Sequence, residues 1–394
     1  MRSELFRKPV RFARRHILPR IIPPARGSLQ GPPTKIKVVG LLSSASGLGR
    51  SARLCIQQVE KYGCEVSTSD VAGFYSSGDD VTYQRGSPRL QTNVSIFHLN
   101  APMLLPGIIT AGLRSYYNSY NIAYWAWELE CLPKDWIDAM RFVDAFMVPS
   151  RFCQRTMQRY TTKPVLTVPH PIQLDMGNVV PSKPKNGTFR VLSIFNLGSS
   201  FERKNPLAVI RGFRAAFGDE EGVELVLKTS QGKRYPQDLA AIRSEIGESP
   251  NISVIDQVWS DEQLSELYCS SDVYISLHRS EGFGLTIAEA ILMEVPVIAT
   301  GWSGNVDFCS PDKMSAVAYK LIAFADDDPA YHGVSDAVWA EPSVESAARE
   351  LQKVRSDPAG SIKRAREAKA EFLSYLGRHT YAAALDALVR RNGS

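Results

Sequence analysis

Hydrophobic positions along the chain gather into short, unbroken runs separated by amphipathic stretches. Lys35-Ile36-Lys37-Val38-Val39-Gly40-Leu41-Leu42 reads as a buried first strand. A glycine-rich turn from Ser43 to Gly49 follows, then an apolar-periodic helix from about Arg50 to Tyr62. Glu65–Thr68, Val94–His98, Asn121–Trp125 and Ala145–Val148 read as further strands, with helical patterns over Lys134–Arg141 and Arg151–Arg159 between them. Pro181–Gly187 breaks this pattern as a linker, and the alternation then restarts. Strands are expected at Phe189–Asn196, Val223–Thr229, Ile252–Ile255, Val273–Leu277 and Val297–Thr300. Helices are expected at Pro206–Phe217, Pro236–Ile246, Asp261–Ser270 and Leu285–Met293. Strands alternating with helices predict mostly parallel sheets covered on both faces. The fold class is therefore α/β, with two Rossmann-like domains facing a central cleft, where ligands bind in such folds. The chain divides into an extension over 1–34, an N-terminal domain over 35–180 and a C-terminal domain over 181–370. Residues 371–394 are expected to form a helix that packs back on the first domain.

Length and composition narrow the class. The 394 residues suffice for two domains, and 44% hydrophobic with 22% charged residues excludes a largely disordered chain. No apolar run approaches the roughly 18–20 residues that cross a bilayer. The six cysteines (Cys55, Cys64, Cys131, Cys153, Cys269 and Cys309) are scattered, as expected of reduced thiols in a cytoplasmic protein.

The net charge of +5 is unevenly spread. Arg2, Arg7, Lys8, Arg11, Arg14, Arg15, Arg20, Arg26 and Lys35 face only Glu4 within the first 35 residues, so the remaining chain is slightly acidic. That balance argues against nucleic acid as a partner. Phe6, Val10, Phe12, Ile17 and Leu18 interleave with the arginines. Residues 1–34 thus read either as an amphipathic helix for an anionic membrane surface, or as a disordered leader or mis-assigned start.

Two glycine loops carry candidate chemistry. Ser46-Gly47-Leu48-Gly49-Arg50-Ser51-Ala52 follows a strand and opens a helix, where backbone amides can approach a phosphate. It also fits a dinucleotide fingerprint with Asp70 as a ribose partner, or a purely structural turn. Glu281-Gly282-Phe283-Gly284-Leu285-Thr286-Ile287-Ala288-Glu289 lies between a strand and a helix, so its two carboxylates can reach different parts of one extended ligand.

Glu281 and Glu289 form the E-x7-E signature of retaining GT-B glycosyltransferases, and the stretch resembles glycosyltransferase family 4. Gly301-Trp302-Ser303-Gly304-Asn305 resembles the glycine-rich loop that follows it. Phe201-Glu202-Arg203-Lys204-Asn205-Pro206 resembles the segment with the family's basic diphosphate clamp. Tyr124-Trp125-Ala126-Trp127-Glu128-Leu129 and Val148-Pro149-Ser150-Arg151-Phe152 resemble segments of bacterial polysaccharide- and lipopolysaccharide-building members.

The resemblance implies that amides of Gly47, Leu48 and Gly49 hold the donor diphosphate, with Lys204 and Arg203 neutralising it. It implies Glu289 on the ribose, Glu281 on the donor sugar, and amides of Gly282, Phe283, Gly284 and Leu285 on phosphate or sugar. Val258 and Trp259 lie where the family contacts the base. His98 is placed near the reacting sugar or acceptor, and Trp127, Glu128 and Ser150 are acceptor-site candidates. The family's arginine about five residues before the lysine is Ser199 here.

His98 reads equally as a satisfied strand-end histidine, and Glu128 equally as a helix cap. His170 is assigned to structure and Asp326-Asp327-Asp328 to solvated charge. The implied reaction is metal-independent, cofactor-free transfer of a hexose, from GDP-mannose or a UDP-hexose, to a glycan or lipid-linked acceptor, in the cytoplasm or at the inner face of the membrane. A nicotinamide-dependent oxidoreductase and a catalytically silent GT-B partner subunit are the rival readings.

Overall fold

The computed structural model describes residues 18–44, 46–75, 82–83, 92–172, 187–310 and 312–392. Most of the basic residues of the leader and nearly all of the 181–187 linker fall outside them. The chain divides into two compact units. Unit 1 holds Met1–Ala126, Leu132–Pro171 and Arg378–Ser394, and unit 2 holds Trp127–Cys131 and Ile172–Gly377.

Unit 1 is built on six parallel strands: β1 (Lys35–Gly40), β2 (Glu65–Asp70), β3 (Val94–His98), β4 (Tyr120–Tyr124), β5 (Ala145–Val148) and β6 (Val165–Thr167), in the order β2-β1-β3-β4-β5-β6. The central strands β3, β4 and β5 are buried at every position, as their unbroken apolar runs require of a sheet covered on both faces. Gly40 lets the helix Gly47–Lys61 sit close, since a Cβ there would lie 2.8 Å from that of Ala52. Ser46 caps this helix by accepting from Gly49 N. The C-terminal helix Tyr381–Asn392 adds Tyr381, Ala384, Leu385 and Leu388 to the same core as Ile36, Val38 and Val59.

The second half of the expected 1–34 extension is part of unit 1. Leu29 is in the core, Tyr116 Oη donates to Pro23 O (3.0 Å), and Gly27 N donates to Asp144 Oδ1 (2.9 Å). Its residues Leu18–Ile21 form one helical turn. Among the described residues, no helix is long and apolar enough to cross a membrane.

Unit 2 repeats the plan with β7 (Phe189–Ile194), β8 (Val223–Thr229), β9 (Ile252–Asp256), β10 (Val273–Ser276), β11 (Val297–Thr300) and β12 (Ser315–Val317), ordered β12-β11-β10-β7-β8-β9, all parallel. An antiparallel hairpin, β13 (Tyr319–Ala323) with β14 (Val338–Pro342), follows. The apolar alternation did not predict it, because β13 is mostly exposed. The helix Pro358–Arg378 buries Phe372 and Tyr375 against Phe308 within this unit.

Candidate functional site

In unit 2 the strand order turns at β7 and β10, which are neighbours running in the same direction (Val273 beside Val191). The chain continues away from this pair on opposite sides, and the crevice where such sheets bind ligands is expected outside their carboxyl ends. The segments following these two strands carry Arg203-Lys204 and Glu281, so residues 77 positions apart meet there. Lys204 Nζ forms a close ion pair with Glu281 Oε1. Arg203 Nη1 lies 3.2 Å from Glu281 Oε2 and donates to Ser280 O at 3.0 Å. Its Nη2 donates to Ser199 O at 2.8 Å and lies 3.7 Å from Glu128 Oε1.

The backbone around these groups is held in an unusual shape. Ser200, Asn205 and Ser303 all have positive φ (63°, 50° and 76°), a conformation that costs non-glycine residues energy and gathers at functional sites. Ser200 Oγ accepts from Arg203 N and donates to Asp326. Glu281 is fixed through its backbone, its N–H donating to Ser303 Oγ (2.7 Å) and its carbonyl accepting from Gly304 N (2.8 Å). A Cβ on Gly304 would come within 2.2 Å of Gly282 O, so the 301–305 loop can rest on the Glu281 loop only with glycine there.

Burial would push the Glu281 carboxyl up, but Lys204, Arg203 and His278 hold it down at about 2. Burial lowers the Lys204 ammonium, with Glu281 pulling it back up and Arg203 pressing it down. Burial and Glu281 together raise Glu128, against the pull of Arg203. His278 is fully buried, and burial lowers it below its usual range. Its Nδ1 pairs with Ser276 Oγ (3.0 Å) and its Nε2 with Asn305 Oδ1 (3.1 Å).

Glu289 lies on the helix Leu285–Leu292, whose cap Gly284 has φ +94°. The carboxylate accepts from Tyr268 Oη at 3.1 Å, and Tyr274 Oη donates to Thr286 Oγ1 at 2.7 Å. Gly282 and Phe283 are buried, and Leu285 is half-buried. Val258 is exposed, while Trp259 lies over the Lys228 ammonium at 5.1 Å. Lys228 Nζ also donates to Thr229 O and Gln257 O.

Unit 1 brings its candidates to the carboxyl ends of β1 and β3, where its own strand order turns. The Gly47-Leu48-Gly49 turn is exposed at Gly47, while Gly49 is buried, and a Cβ on it would meet Ser44 O at 2.4 Å. Asp70 is exposed and accepts from Leu42 N, Ala72 N and Ser43 Oγ. His98 is fully buried and stacked on Tyr124 at 4.1 Å. Ser51 Oγ joins its Nε2 (3.2 Å) to His170 Nδ1 (2.6 Å). Burial holds His98 well below 6.5 and His170 down at about 4. Both histidines therefore belong to one buried polar cluster.

Three assignments change. Ser150 is fully buried and caps the helix Arg151–Gln158, accepting from Cys153 N, which accounts for it without an acceptor. Glu128 caps nothing: it sits in unit 2 against Arg203, and Trp127 beside it packs edge-on to Tyr331 at 5.5 Å. Within the acidic run, Asp326 binds Ser200 and Asp328 caps the turn Pro329–Tyr331, so the run is not simply solvated. Sequence reasoning missed His278, Ser280 and Tyr331. His278 and Ser280 flank the E-x7-E loop closely enough to have been flagged, whereas Tyr331 carried no such signal.

Two six-stranded parallel sheets with flanking helices are the two-domain architecture of the GT-B glycosyltransferases. The chain belongs to the GT4-conflict family, the family 4 glycosyltransferases in conflict systems, whose sequence model matches residues 150–388. Its fold is similar to that of sucrose-phosphate synthase from Thermosynechococcus elongatus, with a TM-score of 0.65 at 13% identity, covering 91% of this chain and 98% of that one. It is similar as well to a glycosyltransferase from Rickettsia africae, with a TM-score of 0.62 at 13% identity over 91% and 96% of the two chains. HepE of Anabaena, solved with UDP and glucose, gives a TM-score of 0.57 at 11% identity over 91% and 98%. No curated protein matches the sequence.

Proposed function

We propose that the chain is a retaining hexosyltransferase that uses a nucleoside diphosphate sugar as donor and a hydroxyl of a glycan or lipid-linked glycan as acceptor. The observation that carries this reading is the crevice in unit 2, where Lys204 meets Glu281 ahead of the helix bearing Glu289. Lys204 is the group that stabilises charge gathering on the leaving diphosphate, and it does so without a metal. Glu281, held ionised, accepts from hydroxyls of the donor sugar. Glu289, steadied by Tyr268, accepts from the ribose hydroxyls. Attack comes from the face that the leaving group departs, and the leaving phosphate oxygen takes the acceptor's proton, so no strong enzymic base is required. The reaction belongs to cell-surface polysaccharide assembly in the cytoplasm, with the basic leader within residues 1–34 aiding attachment to an anionic membrane face.

HepE's complex with UDP and glucose makes UDP-glucose a first donor to try, beside GDP-mannose. The test is a panel of nucleotide sugars offered with a membrane extract, product being read by mass spectrometry. Transfer of a hexose from at least one donor is expected. Binding of NAD(P) with no binding of any sugar nucleotide would reject the reading.

A further inference from the structure

The chain makes a detour to place one extra anion in the unit 2 crevice. Trp127–Cys131 belongs to unit 2 although the residues on either side belong to unit 1. The detour is pinned at several points. Trp127 Nε1 donates to Cys131 O at 2.9 Å, and Ser280 Oγ donates to Glu128 O. Gly282 lies so close beneath it that a Cβ would be 3.2 Å from Trp127 O. The Glu128 backbone is thereby fastened to residues on both sides of Glu281, and its carboxylate faces Arg203.

Arg203 is only 5% exposed. Its terminal nitrogens are engaged by Ser280 O, Ser199 O, Glu281 and Glu128. Its Nε has no partner among the described residues. Two cations, Arg203 and Lys204, are thus met by two anions, Glu128 and Glu281. A diphosphate entering the crevice finds no net positive charge.

Resting on the donor-site reading above, we propose that Glu128 is a built-in counter-anion that holds Arg203 back and thereby limits how tightly this site takes a diphosphate. Glu128 is then a positioning residue acting through Arg203, and its effect falls on the charged part of the ligand alone.

The test is Glu128→Gln in the full chain, which keeps the size and backbone contacts and removes the charge. UDP, GDP, ADP, inorganic pyrophosphate and the uncharged nucleosides are titrated calorimetrically into both proteins. Removing one unit charge this near a diphosphate is expected to tighten its binding about tenfold, less at high salt, and to leave nucleoside binding unchanged. Glu128→Asp, whose shorter arm draws the charge back from Arg203, should fall between the two, and it carries the test if the glutamine variant does not fold. Equal or weaker diphosphate binding by the variants overturns the inference alone. No diphosphate binding by any of the proteins overturns the donor-site reading and the inference with it.

Discussion

Replacing Glu281 by glutamine removes the anion that Lys204 and Arg203 share. A carboxyl held at about 2 in the folded chain, against a usual 4.5, contributes about 3 kcal/mol of stability at neutral pH, offset in part by the lowered Lys204 ammonium. The sign follows from the depressed value: the contribution is complete above pH 4.5 and is lost as pH falls through about 2. Breaking a buried ion pair from one side costs a similar amount, about 3–5 kcal/mol, because the remaining cations are left unpaired. Each kcal/mol is worth about 2–4 °C in a domain the size of unit 2, so Glu281→Gln should lower its melting point by about 6–12 °C at pH 7. Pulsed hydrogen exchange during a thermal scan reads peptides of β7 and β10 separately from those of β3 and β4. The gap between variant and wild type should close as pH drops from 4.5 towards 2. Adding Lys204→Met should recover part of the loss, since both members of the pair are then gone. A shift below about 2 °C, or a gap that does not narrow in acid, would refute the electrostatic account of this loop.

Unit 1 should lose stability in a higher pH window. His170 is held at about 4 against a usual 6.5, so its contribution, about 3 kcal/mol, fades as pH falls from 6.5 to 4, and His170→Gln should reduce that dependence in the β3 and β4 peptides, His98 retaining its own part. Gly304→Ala forces a Cβ onto backbone oxygen and should destabilise unit 2 by about 1–3 kcal/mol and weaken nucleotide binding, whereas Gly301→Ala, whose Cβ would meet Ala316 at an ordinary 3.5 Å, should behave as wild type in both assays. Glu289→Ala should weaken free nucleoside diphosphate and donor alike, by about 1.5–3 kcal/mol in calorimetry, while Glu281→Ala should cost turnover more than nucleotide affinity. Removing residues 1–17 should abolish binding to anionic liposomes with transfer to a soluble acceptor retained; unchanged liposome binding would end the membrane proposal.

The parallel sheets were legible because each central strand is a run such as Val94–His98 or Val297–Thr300, buried throughout, and β-strand burial on both faces leaves an unambiguous apolar signature. The E-x7-E loop and the Arg203-Lys204 segment were legible for a different reason: each is local in sequence, and their meeting follows once β7 and β10 are neighbours. What escaped notice depends on distant pairing. Glu128 looked like a helix cap or an acceptor contact because nothing near it in sequence shows that the chain crosses to Arg203, 75 residues later by number. Tyr331 and Asp326 belong to the loop that follows the exposed strand β13, where hydrophobic alternation is weak. Asp70 and Ser150 sat in motif-like surroundings, yet each accepts from backbone N–H groups of a turn or helix end that need a partner. Gly49 fits a phosphate loop and a tight turn equally well in sequence. The 2.4 Å approach to Ser44 O gives its absence of a side chain a packing cause.

The central claim is that the site holding Lys204, Glu281 and Glu289 transfers a sugar from a nucleotide donor with retention of anomeric configuration. It is tested most directly by NMR of the product formed from an α-linked nucleotide sugar, with Glu281→Ala run in parallel. The account predicts an α-linked product from the wild-type chain and loss of its formation in the variant. A β-linked product, or undiminished transfer by Glu281→Ala, would contradict it.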